Sequence, residues 1–386
     1  MALNIIIEVL VVLSVSIIAG ELFEQLKFPS VVGYLIAGLV IGPFVFNFIQ
    51  NNSELQALSS LSLFFIIFLL GIEMKTESVI KYLKPSIKMS VTSFFLPLVL
   101  SILLSVVLLH FGLRQDLIVS LSIAVPSISI VSVLVMRYRL ARDPKGIMII
   151  GSVVITDVIA FLLLGIIYKS ALNAILIVIY FIIFLMIFLN VDKILNKGSK
   201  KLRIRLNKSK KILKSEHFGY AMVIVIGLLV GGISQLIGIN YIIGVFFAGL
   251  IIHEGLIGRT LFRKVRKTIT RMNDGFFIPL FFGIAGIDVS SFHSLEVYVP
   301  AILTISISVI TFSILINFFY SKRAMNIKKR QWRIKISAII NGRGAVGIAI
   351  ATVAFEIGVI TNSAYSVAVL GTILISIVAT SLLRNI

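Results

Sequence analysis

Two charged residues lie inside long apolar segments of the sequence, where their side chains could do chemistry. Asp157 is the eleventh residue of the segment 147–168, and Arg343 lies in the segment 337–357. A charged side chain at the centre of a bilayer costs about 3 kcal/mol or more, so one that remains there is a candidate functional residue. A buried carboxylate can hold a proton or coordinate a small hard cation, and competition between the two at one carboxylate would couple their movements in opposite directions.

Oxygen atoms that could complete a cation shell around Asp157 occur nearby in the sequence. Thr156 precedes it, and Ser127 and Ser129 lie in the preceding apolar segment. Hard cations prefer such oxygen ligands, although a single hydroxyl is more often bonded to the backbone of its own helix. A buried salt bridge between Asp157 and Arg343 is an alternative that can coexist with ion binding. The sequence therefore predicts a Na⁺ or proton site of one carboxylate with hydroxyl and carbonyl oxygens around it.

Other residues with catalytic or metal-binding chemistry are scarce. The chain has no cysteine, and its four histidines are far apart. Thiolate sites are thereby excluded, a zinc site is not expected, and no cofactor is predicted. Glu8, Glu73, Asp288 and Glu356 lie near the ends of apolar segments, where we expect solvated carboxylates at the membrane interface.

Two apolar segments contain residues that break a helix, and these residues correspond at an offset of 215 positions. IAVPSISIVS (123–132) contains Pro126, and IINGRGAVGI (339–348) contains Asn341 followed by two glycines. Proline removes a backbone donor, and an Asn-Gly-Arg-Gly run is a poor helix interior. Paired interruptions of this kind predict two crossed, discontinuous helices whose free carbonyl and N–H groups can face an ion.

These residues must be positioned by membrane helices. Of the 386 residues 59% are hydrophobic and 13% are charged, and the mean hydropathy is +1.10. Soluble globular proteins carry about 25% charged residues, so a water-soluble enzyme is excluded. Since one crossing needs about 20 residues, the sequence predicts an all-α polytopic membrane protein with thirteen transmembrane helices. The predicted segments are 2–25, 31–47, 55–73, 89–112, 117–136, 147–168, 171–191, 218–238, 241–253, 276–290, 299–321, 337–357 and 365–383.

The basic residues alternate between the two sides of these segments. Of the 36 Lys and Arg residues, 33 fall on one side, Arg114 and Lys169 fall on the other, and Arg343 lies within a segment. The positive-inside rule then predicts a multi-pass plasma-membrane protein with its N-terminus outside and its C-terminus in the cytoplasm. The net charge of +20 is a topology signal that includes a cytoplasmic loop at 193–214 facing anionic lipid, and no nucleic-acid partner is expected.

The two halves of the sequence resemble each other. VVGYLIAGLVI (31–41) and IIGVFFAGLII (242–252) are identical at five positions, and GIE (71–73) corresponds to GID (286–288). The first pair of motifs lies in the second and ninth spans, so the two halves are seven spans apart. Because seven is odd, the halves have opposite orientations in the membrane. This is the inverted-topology repeat of secondary transporters. The predicted parts of the single transmembrane domain, 1–386, are a first inverted repeat at 1–168, a linking helix and basic cytoplasmic loop at 169–217, and a second inverted repeat at 218–386.

Five motifs of the sequence are FPSVVGYLIAGLVIGP (28–43), FLLGIEMK (68–75), FFIPLFFGIAGID (276–288), NGRGAVGIAIA (341–351) and the Thr-Asp pair at 156–157. They resemble motifs of the monovalent cation:proton antiporters, most closely family 2 of that superfamily. The resemblance covers the whole chain and implies a core domain with two crossed helices, a dimerisation domain, elevator-like alternating access and a homodimer. Asp157 matches the family's ion-binding aspartate.

The sequence departs from this family at three positions. Thr156 stands where the family commonly has Asp or Asn, and Ala345 replaces the glutamate of its RGE motif. Electrogenic members usually carry a lysine in the helix before that motif, and the nearest match here is Asn317. The repeat counterpart of Asp157 is Thr372, so we expect one cation site and an electroneutral exchange of one proton for one cation. Larger relatives add a nucleotide-binding domain after the last helix, and here such regulation is expected only from a separate subunit.

The sequence therefore predicts a secondary active antiporter that exchanges Na⁺, or Li⁺, for H⁺ by competition at Asp157, surrounded by membrane lipids. Two alternatives within the same transport class are K⁺/H⁺ exchange and a cation-coupled symport of an organic anion whose carboxylate would meet Arg343. An ion channel would need a continuous polar pore, and an intramembrane enzyme would need a catalytic motif that the sequence lacks. Proton movement opposite to cation movement distinguishes an antiporter from a channel or an enzyme.

Overall fold

The protein is all-helical in a computed structural model, as the sequence predicts. Three predicted features lie outside the described residues: the span at 171–191, apart from residue 179, the basic loop at 193–214, and Ser129. The structure describes residues 5–73, 83–127, 130–131, 134–135, 138–140, 143–168, 179, 216–236, 241–252, 254–289, 292–325 and 327–384.

The helices are numbered in chain order over the described residues. A π-helical turn at Val91–Phe95 joins α4 to α5, and a second at Asn273–Phe277 joins α11 to α12. The bounds are α1 Ile5–Gln25, α2 Ser30–Ile41, α3 Ser53–Glu73, α4 Leu83–Ser90, α5 Leu96–Leu108, α6 Leu113–Ala124, α7 Pro144–Tyr168, α8 Glu216–Leu236, α9 Tyr241–Ile251, α10 Glu254–Ile257, α11 Arg259–Met272, α12 Ile278–Ile287, α13 Phe292–Leu295, α14 Val299–Ala324, α15 Arg330–Ile339, α16 Ala345–Glu356 and α17 Asn362–Arg384.

Seven stretches of helix in the described chain are long and apolar enough to cross a membrane. They fall in α1, α3, α4 with α5, α7, α8, α14 and α17, and each matches a segment predicted from the sequence. Five further predicted segments, 31–47, 117–136, 241–253, 276–290 and 337–357, contain shorter helices. The protein is therefore an integral, multi-pass membrane protein, and the count of thirteen spans stays a prediction.

The contacts divide the chain into two compact units. The first contains Met1–Ser60, Lys75–Tyr168 and Pro279–Ile386. In it α1 packs on α2, α5 on α6, and α6 on both α16 and α17. Gly38 of α2 lies so close to α12 that a Cβ atom on it would be 2.0 Å from the carbonyl oxygen of Gly283. The absence of a side chain at Gly38 therefore permits this close approach of two helix backbones.

The second unit contains Leu61–Met74 and Lys169–Ile278. In it α8 packs on α9, which repeats the pairing of a long helix with a short one. Gly249 of α9 meets the last turns of α3, where an added Cβ would lie 2.5 Å from the carbonyl oxygen of Phe68. This unit thus also depends on glycine where two helices touch.

Candidate functional site

Both interruptions predicted from the sequence are present, and they contact each other in the first unit. α6 ends two residues before Pro126, and residues 340–344 separate α15 from α16. Pro126 and Arg343 form an antiparallel bridge, and the N–H of Ser127 donates to the carbonyl of Gly342 over 2.8 Å. Backbone groups within a membrane must find partners in the protein, and here the two interruptions supply partners for each other. We call Pro126, Ser127 and 340–344 the crossing.

Arg343 is fully buried at the crossing, with 0% of its surface exposed. Its Nη2 lies 3.3 Å from the Ser93 carbonyl oxygen and 3.3 Å from Asn341 Oδ1, and donates to both. Its own carbonyl accepts a hydrogen bond from the Ser376 hydroxyl. Nε and Nη1 have no hydrogen-bond partner within the described part of the chain. Arg343 therefore connects the crossing to the π turn after α4 and to α17, and its three N–H groups on Nε and Nη1 remain without a partner among the described residues.

Asp157 lies on α7 and is 1% exposed. Neither of its carboxylate oxygens has a hydrogen-bond partner among the described residues, and none of these residues forms an ion pair with it. The alternative of a buried salt bridge with Arg343 is therefore wrong. An ionised carboxylate in such surroundings loses its hydration without compensation, at a cost on the order of several kcal/mol. A proton or a cation bound to Asp157 removes that cost.

Two of the three predicted hydroxyl ligands, Thr156 and Ser127, lie among the described residues, and both are fully buried. The Thr156 hydroxyl donates to the carbonyl of Val153 over 2.7 Å, as expected for an isolated threonine in a helix. Ser127 is 0% exposed and contributes its backbone N–H to the crossing. α7, which carries Thr156 and Asp157, packs against α6 and α16, the helices that flank the crossing. The structure therefore brings the helix that bears the carboxylate to the two broken helices.

Asn341 and Asn317 act as connectors between elements. The Asn341 side chain donates to the Ser337 carbonyl over 2.7 Å and accepts from the guanidinium at the crossing. Asn317, on α14, is 1% exposed, and its Oδ1 accepts from the Thr92 hydroxyl over 3.0 Å. Its amide donates to the Ser313 carbonyl over 2.8 Å. Asn317 thus binds the π turn and does not contact the carboxylate of α7.

α4 and the π turn after it brace the site, a role that the sequence reasoning missed. The Ser86 hydroxyl donates to the Met148 carbonyl over 3.3 Å, and the Ser90 hydroxyl donates to the Ser152 carbonyl over 3.0 Å. Both acceptors lie on α7, while the carbonyl of Ser93 accepts from the guanidinium at the crossing. Serines four and seven residues after Ser86 share one helix face, so their spacing was a usable signal.

The link between the π turn and α14 gives a testable prediction. Thr92→Val keeps the side-chain shape and removes a hydroxyl that the Met89 carbonyl, at 2.9 Å, and Asn317 Oδ1, at 3.0 Å, share as a donor. The buried Oδ1 of Asn317 then loses a donor, so we expect the free energy of unfolding to fall by about 1–2 kcal/mol. The melting temperature of the purified protein in detergent measures this. Thr304→Val is the matched control, because the Thr304 hydroxyl bonds only the carbonyl of Pro300 at an exposed position. Equal melting temperatures for the two variants would contradict the link.

The prediction that the carboxylates near span ends are solvated is wrong for two of the four. Glu8 and Asp288 are each 7% exposed. Glu356 is half-buried, and only Glu73 is exposed. The Asn52 amide covers Glu8, donating to its Oε2 over 2.8 Å. The burial of such a carboxylate depends on which neighbouring elements pack over it. A position near the end of an apolar segment does not reveal those elements.

Known proteins resemble this chain over most of its length. It is 25% identical, over 72% of its length and 70% of the relative's, to the probable Na⁺/H⁺ antiporter 3 of Methanocaldococcus jannaschii. It is 23% identical, over 100% of its length and 97% of the relative's, to the Na⁺/H⁺ antiporter NhaS4 of Synechocystis. The solved structure of the sodium proton antiporter MjNhaP1 from M. jannaschii has the same fold, with a TM-score of 0.68 over 97% of this chain and 96% of that one at 17% identity.

These proteins are named as transporters, which agrees with the expectation that this one is not an enzyme. A broader comparison, with models of whole protein families, matches residues 10–385 to the sodium/hydrogen exchanger transmembrane family. The match includes both interrupted helices, the aspartate of α7 and all but a few residues at the two ends. The chain belongs to the sodium/hydrogen exchanger family.

Proposed function

We propose that this protein is a secondary active antiporter that exchanges a monovalent cation, Na⁺ or Li⁺, for H⁺ across the plasma membrane. Asp157 is the group for which the two compete. The observation that carries the proposal is the burial of its carboxylate in a membrane helix, with neither oxygen hydrogen-bonded within the described chain. Because either a proton or a cation stabilises such a carboxylate and the two exclude each other, each can leave only when the other replaces it.

The crossing supports a cation site beside α7. α6 and α15 both end there, and a helix C-terminus carries about half a negative charge. α16 begins there, with about half a positive charge at its N-terminus. Secondary transporters bind ions near mid-membrane with helix termini of positive and negative partial charge beside a buried carboxylate. Ser127 belongs to the crossing, and it and Thr156 are proposed ligands with Asp157, while Asn341 and Arg343 hold the crossing together.

The glycine contacts support the proposed inverted repeats and, through them, elevator-type alternating access. In the first unit, a Cβ on Gly38 would lie 2.9 Å from Gly286 Cα, and in the second a Cβ on Gly249 would lie 2.9 Å from Gly71 Cα. The sequence match pairs Gly38 with Gly249, and Gly71 with Gly286. Each contact is therefore the repeat counterpart of the other. Two repeats related by a two-fold axis produce contacts in such reciprocal pairs.

We further propose a stoichiometry of one proton for one cation, in a homodimer of the kind that the family resemblance implies. The repeat counterpart of Asp157 is Thr372, a fully buried hydroxyl that donates to the carbonyl of Ala368 over 2.8 Å. Asn317 provides no charge where electrogenic relatives carry a lysine. A single titrating group then exchanges equal charges in the two directions.

A second candidate function rests on Arg343, whose Nε and Nη1 have no partner in the described chain. An unpaired guanidinium N–H can donate to one oxygen of a carboxylate, which favours a cation-coupled symporter of an organic anion. The orphaned carboxylate of Asp157 favours the antiporter more strongly, because an organic anion would be repelled by it.

Proton movement in proteoliposomes tests the proposal. With an internal pH dye, external Na⁺ or Li⁺ should raise the internal pH as protons leave, and choline should not. A stronger response to K⁺ would identify a K⁺/H⁺ antiporter instead. The rate should be the same at every clamped membrane potential, and a rate that follows the potential would contradict the one-for-one stoichiometry. If no cation moves protons, the antiporter is excluded and uptake of organic anions becomes the measurement.

A further inference from the structure

α11, in the second unit, is a basic helix that the proposed exchange does not use. Its 14 residues include six lysines and arginines and no acidic residue. One face of the helix is buried through Phe262, Val265 and Ile269, which are spaced three and four residues apart. All six basic side chains are exposed and lie around the rest of the helix surface. α11 is therefore amphipathic, with a buried apolar face and an exposed basic one.

Four of these basic residues form a row along the helix, which we call the basic row. Its members, each four residues after the last, are Arg259, Arg263, Lys267 and Arg271. Like charges at this spacing are neighbours on a helix surface and destabilise the helix. In the described chain, Arg259 alone of the row forms an ion pair, with Glu254 at 3.7 Å, and both side chains of that pair are largely exposed. The basic row therefore carries positive charge that the described residues do not neutralise, and it is complementary to an anionic partner.

Both ends of α11 contact helices that are long and apolar enough to cross a membrane. At its start, Leu261 lies against α8, where a Cβ on Gly219 would be 2.8 Å from Leu261 Cδ1. Just after its end, the Asn273 side chain donates to the carbonyl of Phe65 in α3 over 3.1 Å. Gly219 lies in the first turn of α8, and Phe65 lies about two turns before the end of α3. α11 is therefore held close to the ends of two membrane helices.

The predicted topology puts the start of α8 and the end of α3 on the cytoplasmic side, where the leaflet carries anionic lipid. Two exposed apolar side chains, Met272 and Phe276, directly follow the basic row. Basic groups next to exposed apolar ones are typical of helices at the boundary between headgroups and acyl chains. We propose that the basic row binds the headgroups of acidic phospholipids, such as phosphatidylglycerol, in the cytoplasmic leaflet. A soluble acidic protein would match the charge of the row but not its position at the membrane surface.

Quenching of a fluorophore on α11 by labelled lipid tests the proposal in the purified full-length chain. The chain has no cysteine, so Thr260→Cys provides a single attachment point, at an exposed position three residues before Arg263. The protein is reconstituted into phosphatidylcholine vesicles that contain increasing fractions of nitroxide-labelled phosphatidylglycerol or, in parallel, nitroxide-labelled phosphatidylcholine. We expect half-maximal quenching at a fraction of labelled phosphatidylglycerol lower by about fivefold or more, the effect of one basic residue near an anionic surface. In about 1 M choline chloride this preference should fall, because the Debye length shortens to about 3 Å.

Neutralising the row should remove the preference for phosphatidylglycerol. The test variant combines three substitutions in the Thr260→Cys chain: Arg263→Gln, Lys267→Gln and Arg271→Gln. The matched control removes the same charge from exposed positions at the start of α15, with Lys328→Gln, Lys329→Gln and Arg330→Gln. The control should keep the preference. Glutamine is nearly as good a helix former as arginine and lysine, so both variants should fold, and a melting curve in detergent checks this.

Three results would overturn the lipid site. Equal quenching by the two lipids in the Thr260→Cys chain would exclude it and would favour an acidic protein as the partner of the basic row. A preference that survives the three substitutions in α11, or one that falls equally in the control, would show that the row is not the binding surface. If the α11 variant does not fold, the salt dependence decides, because a preference that persists in 1 M choline chloride is not electrostatic. Proton movement is measured separately, so this proposal and the exchange at Asp157 fail independently.

Discussion

Asp157→Asn is expected to abolish cation-dependent proton movement in proteoliposomes, with a loss of at least about 100-fold. The amide cannot take up or release a proton in the physiological range, and as a cation ligand it has no charge. Losing a charged contact costs about 3 kcal/mol, and each 1.4 kcal/mol is a factor of about ten in affinity. The initial rate of the internal pH change after a Na⁺ pulse measures the loss.

The same substitution should leave the fold intact, which separates loss of function from loss of structure. The carboxylate of Asp157 makes no hydrogen bond within the described chain, so no described partner is orphaned when it becomes an amide. A neutral group in its place also avoids the cost of burying a charge. We therefore expect a melting temperature no lower than that of the wild type. Asp116→Asn is the control, because it neutralises another buried carboxylate, in the first turn of α6, and it should transport normally. Wild-type cation dependence in Asp157→Asn would exclude Asp157 as the shared group.

The broken helices could be predicted because their cause is local. Proline has no N–H to donate, and a run of Asn and Gly disfavours helix at any place in a fold. The positions Pro126 and Asn341 were therefore readable from the sequence, and their match at a fixed offset indicated that they would meet. The orphaned carboxylate of Asp157 was partly predictable, since a charge among apolar residues is conspicuous, but the missing ion pair with Arg343 was not.

What the sequence did not reveal depends on contacts between distant segments. The π turn at Val91–Phe95 has no sequence signal of its own, and its value lies in what its Thr92 and Ser93 reach on α14 and at the crossing. The burial of Asp288 likewise depends on its neighbours. Hydropathy places it at the end of a span, yet the side-chain amide of Asn362, in the first turn of α17, donates to its backbone carbonyl. The local sequence shows where a residue lies along a span, but it does not show whether other segments of the chain bury that residue.

The second large effect is expected for Gly347→Val, which should prevent α6 and α16 from meeting. A Cβ on Gly347 would lie 2.2 Å from the carbonyl oxygen of Ser122, and backbone cannot yield as a side chain can. That oxygen also lies 3.4 Å from the Thr372 hydroxyl, so α17 holds it from another side. The clash lies one helical turn from the bridge between Pro126 and Arg343, which a displaced α16 would break. We expect transport to fall to background and stability to fall by about 1–3 kcal/mol or more.

Gly232→Val separates this contact from the general effect of valine in place of a helical glycine. Gly232 lies on α8, and an added Cβ would meet no atom within 4 Å. Valine is also a better helix former than glycine, so that variant should keep its transport rate and its melting temperature. Normal transport in Gly347→Val would mean that α6 and α16 can separate at this point without cost. The contact between the two broken helices would then not be required for exchange, and the crossing would lose its place in the proposed mechanism while Asp157 kept its own.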